Sequence, residues 1–458
     1  MLMDLKRLFK FEVEQERWFK DINQAQMEAS LFALNNSEKC GGYTHFLQLK
    51  AASTAERTPI HIIATIDTSG SMQFDNKLDN VKKSLKAVLE FMSSRDMLSI
   101  ITFSKTSHII SQRTMTTTEN KYILSQAIAN IDIDCSTNLS SGLISAFECQ
   151  GGTDQHKTSI LLLTDGEANE GITSPDAITD LIQTQCSSNV NIYTFGYGLE
   201  HNSALLSLIA DEKDGAYNVV NSLENVASAI GGAFGSIASC VAQNIAVEGA
   251  EFYSGFPKTI NGGVRVGDMA SGGETGILVK NVGEIQIKGY SVHNGFAAFT
   301  ISGDEILQKD VTIETDKSAY ITYMRIKLAT FIEKYPGDSV LNEFERALEG
   351  GDEIIKIMKK EVRHIKNSKR VHFGGENMAI QTQHANFYRT LRSEYSAPPV
   401  ERPGGDSRGF SMLSPVARSI SDNVYARATQ NDDLDDTVEP IIDPSDNILS
   451  IHSDSSSI

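Results

Sequence analysis

Ile60-His61-Ile62-Ile63-Ala64-Thr65-Ile66-Asp67-Thr68-Ser69-Gly70-Ser71 is an apolar run that ends in an acid and two hydroxyls. A run of Ile and Ala with no period of two predicts a strand buried on both faces, as in a parallel sheet covered by helices. Open α/β sheets bind ligands in the crevice beyond the carboxyl ends of their strands, and Gly70 permits close approach of backbone there. Asp67, Ser69 and Ser71 gather hard oxygens at that place, and hard oxygens select hard cations. Three oxygens from one loop do not close an octahedral shell, so further ligands must come from neighbouring loops. Two stretches offer them. Ser136-Thr137-Asn138 precedes a helical pattern that begins at Leu139, and Thr164-Asp165-Gly166-Glu167 directly follows a second buried run, Ser159-Ile160-Leu161-Leu162-Leu163. Helix capping by Asp67 or Ser69 near Asp75 needs only one acceptor and leaves Asp165 unexplained.

The DxSxS pattern, a Thr in a later loop and an Asp after the next core strand together resemble the metal-ion-dependent adhesion site of von Willebrand factor A (VWA) domains, with all five family positions filled. The resemblance spans about residues 58 to 238. It implies that Asp67, Ser69, Ser71, Thr137 and Asp165 hold a divalent cation, the hydroxyls and the threonine directly and the aspartates directly or through water. Arg57-Thr58-Pro59-Ile60, Ile230-Gly231-Gly232 and Val266-Gly267-Asp268 further resemble the intracellular VWA family that includes plant RING-type ubiquitin ligases. A RING finger precedes the VWA domain in those ligases. No Cys/His pairs with zinc spacing occur in this sequence, so ligase activity does not carry over.

Strand and helix patterns alternate through 58–238, as a doubly wound, Rossmann-like, mostly parallel α/β sheet requires, and they predict six strands and about six helices. Before it, 1–57 reads as an N-terminal helix (Phe9 to Leu34, with Trp18, Ile22 and Met27 on one side) and a strand, Tyr43 to Lys50. After it, 239–322 carries strand-like runs separated by Gly and Asp turns, including Asp310 to Glu314, and reads as a small β-sandwich. The ends of a VWA domain leave together on the face opposite the metal. Tyr43 to Lys50 is therefore expected to join the sheet beyond residue 240, which makes the VWA domain an insertion. Helical spacing returns over 323–395, and 396–458 is expected to be a disordered, acidic, Ser-rich tail, since Asn431 to Ile458 holds eight acids and no Lys or Arg.

The chain has 458 residues, 40% hydrophobic and 22% charged, which suits a globular protein of two or three domains. A net charge of −18 argues against nucleic acid, whose phosphates are neutralised by Lys and Arg. Five scattered cysteines without a CxxC pair predict reduced thiols; a charged start and the lack of a run of about 18 apolar residues predict no signal peptide and no membrane span. The Asn138-Leu139-Ser140 sequon lies where a glycan would block the metal loop. The expected location is cytoplasmic.

These features predict a non-enzymatic scaffold or adaptor module. Its Mg²⁺, with Mn²⁺ or Ca²⁺ able to substitute, keeps one coordination position for an Asp or Glu side chain of a partner protein. The enzyme alternative is a Mg-dependent aspartyl-phosphate phosphatase of the haloacid dehalogenase type. That class wants DxDx[TV], but Ser69 stands where its second acid belongs, and no phosphate-gripping Lys is evident. Nucleotide, zinc-protease and esterase motifs are missing from the sequence, and His61, His108 and His201 read as core or surface residues.

Overall fold

A computed structural model describes residues 27–54, 57–134, 136–151, 156–165, 169–198, 201–220, 223–293, 295–334 and 415–429, with a few positions between 342 and 363. The chain divides into two units, Met1–Thr54 with Cys240–Lys327, and Ala55–Ser239 with Leu328–Ile458.

The second unit is built on a six-stranded sheet. Its strands are β3 (Ile60–Asp67), β4 (Met97–Phe103), β5 (Ser107–Met115), β6 (Lys157–Thr164), β7 (Asn191–Tyr197) and β8 (Tyr217–Val220), in the spatial order β5-β4-β3-β6-β7-β8. All neighbours are parallel except β5, which runs antiparallel along β4 at the edge. Both faces are covered, so successive residues of a strand enter different cores. Ile62, Ala64 and Ile66 of β3, Leu161 and Leu163 of β6 and Phe195 of β7 share one apolar cluster with helices α1 (Lys77–Phe91), α2 (Thr118–Ala129) and α6 (Leu223–Ala238). Ile63, Ile160, Leu162 and Ile192 enter the other, with α3 (Leu139–Cys149), α4 (Pro175–Gln185) and α5 (Ser203–Glu212). Two-sided burial explains why these strands read as unbroken apolar runs.

Helix α3 packs closely on the sheet at Gly142, where a Cβ would lie 2.7 Å from the ring of Phe103 and 3.2 Å from Cγ2 of Thr65. Both neighbours are fully buried and have no room to retreat. Gly142→Ala is expected to destabilise the protein by about 1–3 kcal/mol, the usual cost of overpacking a filled core, as read by denaturant unfolding. An unchanged midpoint would show that α3 can shift outward at no cost.

The first unit has two sheets. One is β10-β12-β2-β1-β15, made of β1 (Met27–Ala33), β2 (His45–Ala51), β10 (Glu251–Tyr253), β12 (Glu274–Lys280) and β15 (Leu307–Lys309). The other is β11-β9-β13-β14, made of β9 (Cys240–Glu248), β11 (Val264–Ala270), β13 (Gln286–Ser291) and β14 (Ala297–Ser302). Leu31, Leu47, Leu49, Ile277 and Val279 of the first meet Ile245, Val247, Val266, Ile287 and Ile301 of the second in one core. Strand β2 pairs antiparallel with β12 from His45↔Val279 to Lys50↔Glu274, so the expected pairing of 43–50 with residues beyond 240 is present, and residues 55–239 are inserted between its two halves. Helix α7 (Ile313–Lys334) packs Ala319, Tyr320 and Tyr323 on the outer face of the five-stranded sheet, against Phe32, Phe46 and Leu278.

Three expectations are corrected here. Residues 27–33 form a strand and not the end of a helix, because Met27, Ala29 and Leu31 alternate into the core and all seven residues pair with β2; residues 9–26 lie outside the described region. The segment 310–314 is not a strand. Thr312 accepts a hydrogen bond from the Thr315 N–H, and Glu314 and Asp316 occupy the first turn of α7, where acids favour a helix start. The stretch 396–458 is not wholly disordered, since Pro415–Thr429 forms helix α8. Ile420, Val424 and Ala428, spaced four apart, enter the core of α1 and α6, and Arg427 grips Glu90 with N···O distances of 2.5 and 3.2 Å. The acids that suggested disorder begin beyond this helix, and residues 396–414 and 430–458 lie outside the described region. Among the described residues no helix is long and apolar enough to cross a membrane.

Candidate metal centre

Parallel register sets the geometry. Ile66 of β3 pairs with Leu163 of β6, which brings Asp67 level with Thr164 at the carboxyl end of the sheet. Asp67 is fully buried. Its Oδ1 accepts from the Ser69 N–H at 2.8 Å, and its Oδ2 accepts from the Thr164 hydroxyl at 2.5 Å. The Ser69 and Ser71 hydroxyls lie 3.1 Å apart, and Ser71 Oγ donates to Asp165 Oδ1 at 2.6 Å. Asp67, Ser69, Ser71 and Asp165 thus form one hydrogen-bonded chain, through the Ser69 N–H and then the two hydroxyls.

Thr137 arrives on a separate loop. Thr68 anchors that loop, since its N–H donates to the Phe103 carbonyl at 2.9 Å and its carbonyl accepts from the Asp134 N–H at 2.7 Å. Ser104 Oγ donates to Asp134 Oδ2 at 2.7 Å, and the Ser104 carbonyl accepts from the Asn138 N–H at 2.7 Å. Asn138 caps α3 by accepting from the Ser141 N–H, so its amide has a structural task. Thr137 itself is buried and clasped to Asn169, whose Oδ1 accepts from the Thr137 N–H at 3.1 Å and whose N–H donates to the Thr137 carbonyl at 3.1 Å.

Among the described residues no cation pairs with Asp67. Burial pushes its carboxyl up to about 6, the bonds from Thr164 and Ser69 pull it back in part, and the like charge of Asp165 raises it further. Its hydrogen-bond partners are a hydroxyl and an amide, both neutral. Two carboxylates and neutral hydroxyls are hard donors that suit a small divalent cation, so the residues present fit one.

Lys77 was not legible as part of this site. It is the first residue of α1, and its Nζ donates to Asp165 Oδ2 at 2.5 Å and reaches the Ser71 carbonyl at 3.5 Å. From the sequence, lysine is weighed only as a phosphate-gripping residue, whereas Lys77 holds Asp165. A cation in the first turn of a helix opposes the macrodipole, and that was the available signal. Thr164 and Asn169 were also missed, since only the register and the loop path bring them in. Glu167, Glu200 and Cys135 lie outside the described residues. His61 and His201 are buried core residues hydrogen-bonded to Ser99 and to Tyr217, and burial pushes both below the usual imidazole range. Cys40, Cys149, Cys186 and Cys240 are buried thiols outside any disulfide.

Comparison with known proteins agrees with this architecture. Residues 61–230 match the family described as von Willebrand factor type A domain. The chain is 32% identical over 181 residues to the uncharacterised protein YfbK of Escherichia coli (strain K12), covering 38% of this chain and 30% of that one. It is 25% identical over 220 residues to inter-alpha-trypsin inhibitor heavy chain H3 of Mus musculus, covering 45% of this chain and 24% of the relative. It therefore spans less than a third of either relative's length. A solved von Willebrand factor type A protein from Catenulispora acidiphila is like it in fold, with a TM-score of 0.54 at 13% identity over 82% of this chain and 97% of the other. On its sheet order, its helices on both faces and this match, the segment 61–230 is a von Willebrand factor type A domain.

Proposed function

We propose that this domain holds a divalent cation, Mg²⁺ in the first instance with Mn²⁺ or Ca²⁺ as substitutes, through Asp67, Ser69, Ser71, Thr137 and Asp165. The ion keeps one coordination position for an Asp or Glu side chain of a partner protein. The module binds and does not catalyse, and its place is the cytoplasm. The observation that carries this reading is the fully buried Asp67 carboxylate, held by neutral groups only, with a second carboxylate on the same pair of serine hydroxyls. The cation supplies an electrophilic point for an incoming carboxylate, and few anionic ligands leave that character intact.

Lys77 gives the phosphatase alternative one cation that it wants, yet Asp67 argues against it. A nucleophile must reach a phosphorus atom, whereas Asp67 has no exposed surface and both its oxygens are engaged.

The test uses Asp165→Ala. The strand before it, Ile160–Leu163, is buried on its own account, and Lys77 can turn to solvent, so the fold should stay intact. Mg²⁺ binding by calorimetry should be lost. Partner proteins captured in Mg²⁺ should be released by a chelator and not captured by the variant. Capture unchanged by both treatments would overturn the reading.

A further inference from the structure

Lys77 does nothing for the start of its own helix. It opens α1 behind Asn76, whose left-handed backbone makes no side-chain cap, and its charge is of the sign that a helix start disfavours. Its side chain is nonetheless folded inward and 18% exposed, on an Asp165 side chain that is 1% exposed. Gly198, at φ +77°, lies beside it: a Cβ there would be in ordinary contact with Nζ, at 3.9 Å. The neighbouring His201 shares its Nε2 with the Tyr217 hydroxyl at 2.6 Å. Among the described residues Lys77 is the cation in contact with the ligand set, and it touches the set at Asp165 Oδ2 and the Ser71 carbonyl.

On the metal-binding reading above, we propose that Lys77 sets the charge of the centre and so its choice of partner. Asp67 and Asp165 alone would neutralise a divalent ion, leaving little attraction for a third carboxylate. With the Lys77 ammonium beside Asp165, the loaded centre carries one positive charge in excess, which a single Asp or Glu side chain neutralises. Lys77 thus weakens the bare cation and strengthens the hold of the loaded centre on a carboxylate. A neutral ligand gains nothing from it. Such coupling is reciprocal: the carboxylate must tighten the cation by the factor by which the cation tightens the carboxylate.

The experiment uses the full chain and Mn²⁺, with free Mn²⁺ read by electron paramagnetic resonance, in chloride and again with acetate as the carboxylate probe. Lys77→Gln keeps a donor for Asp165 without the charge, Lys77→Met removes both, and Lys77→Arg keeps the charge. In chloride the Gln and Met variants should bind Mn²⁺ about tenfold tighter than wild type, as expected when a like charge a few ångströms away is removed. Acetate should tighten Mn²⁺ several-fold in wild type and Lys77→Arg, and scarcely at all in the two neutral variants. Circular dichroism checks the fold, and either neutral variant alone decides the question. Equal or weaker Mn²⁺ binding in a folded neutral variant, with the acetate effect intact, would overturn the role of Lys77 and leave the metal site standing. Absence of Mn²⁺ binding in wild type would overturn both.

Discussion

Asp67→Asn is expected to make the cation-free protein more stable at pH 7.5 and to abolish any further gain on adding Mg²⁺. The folded state holds the Asp67 carboxyl at about 6, against an ordinary 3.8, so it takes up this proton more readily than the unfolded chain. Stability linked to the group is therefore greatest below about pH 4, declines as pH rises to about 6, and stays low above that. A shift of two units corresponds to about 3 kcal/mol at neutral pH. Asparagine removes that cost and keeps an acceptor for the Ser69 N–H, while a weaker bond to Thr164 returns about 1 kcal/mol. The net gain should be about 1–2 kcal/mol in thermal unfolding with a chelator present. Mg²⁺ at one hundred times its Kd should raise wild type by about 2.7 kcal/mol, enough to overtake the variant by about 1 kcal/mol. Below pH 6 the proton competes with the ion, and Mg²⁺ affinity in wild type should fall about tenfold per pH unit. If the Asp67→Asn protein still gained stability from Mg²⁺, Asp67 would leave the ligand set.

Val424→Asp is the second large effect. Val424 has no exposed surface and sits with Ile420 and Ala428 in the cluster shared by α1 and α6. Cutting it back to Ala should loosen α8 by about 1–2.5 kcal/mol, in line with other core truncations. A carboxylate there costs several kcal/mol more, so the helix should leave its seat instead of burying the charge. The strands do not pair with α8, which packs on α1 and α6, so global unfolding should shift less than the local docking does. The readout is trypsin cleavage after Arg427, whose pairing with Glu90 protects it in wild type and is lost on undocking. Protection of Arg427 in Val424→Asp would show that α8 is held by something other than this apolar seat.

What was legible in the sequence follows from which contacts are local. Ile60–Ile66 and Ser159–Leu163 announce themselves because helices on both faces demand apolar residues at every position. The site positions are legible because a parallel sheet gathers its strand ends at one crevice, so Asp67 and Asp165, far apart in the chain, share an address. Lys77 was hidden because its partner lies 88 residues away and its own neighbours read as an ordinary helix start. Strand β1 was hidden because Phe32 packs on one face of its sheet and Leu31 on the other, which blurs the alternation. Helix α8 was hidden by averaging, since the acids that follow it outweigh three apolar residues spaced four apart.

The insertion of one unit within the other sets a schedule for biosynthesis. Gln48 on β2 and its neighbour Glu274 on β12 are separated by 226 positions, so at about 5–20 residues per second a ribosome needs about 10–45 s to deliver the second after the first. The β1–β2 ribbon, with Leu31, Leu47 and Leu49 still uncovered and one edge open, must wait out that interval. The whole of residues 55–239 emerges meanwhile and can complete its own sheet. Strands β1 and β2 leave the ribosome before the inserted residues and are enclosed after them, and their waiting edge is where a chaperone, or a second nascent chain, has its opportunity.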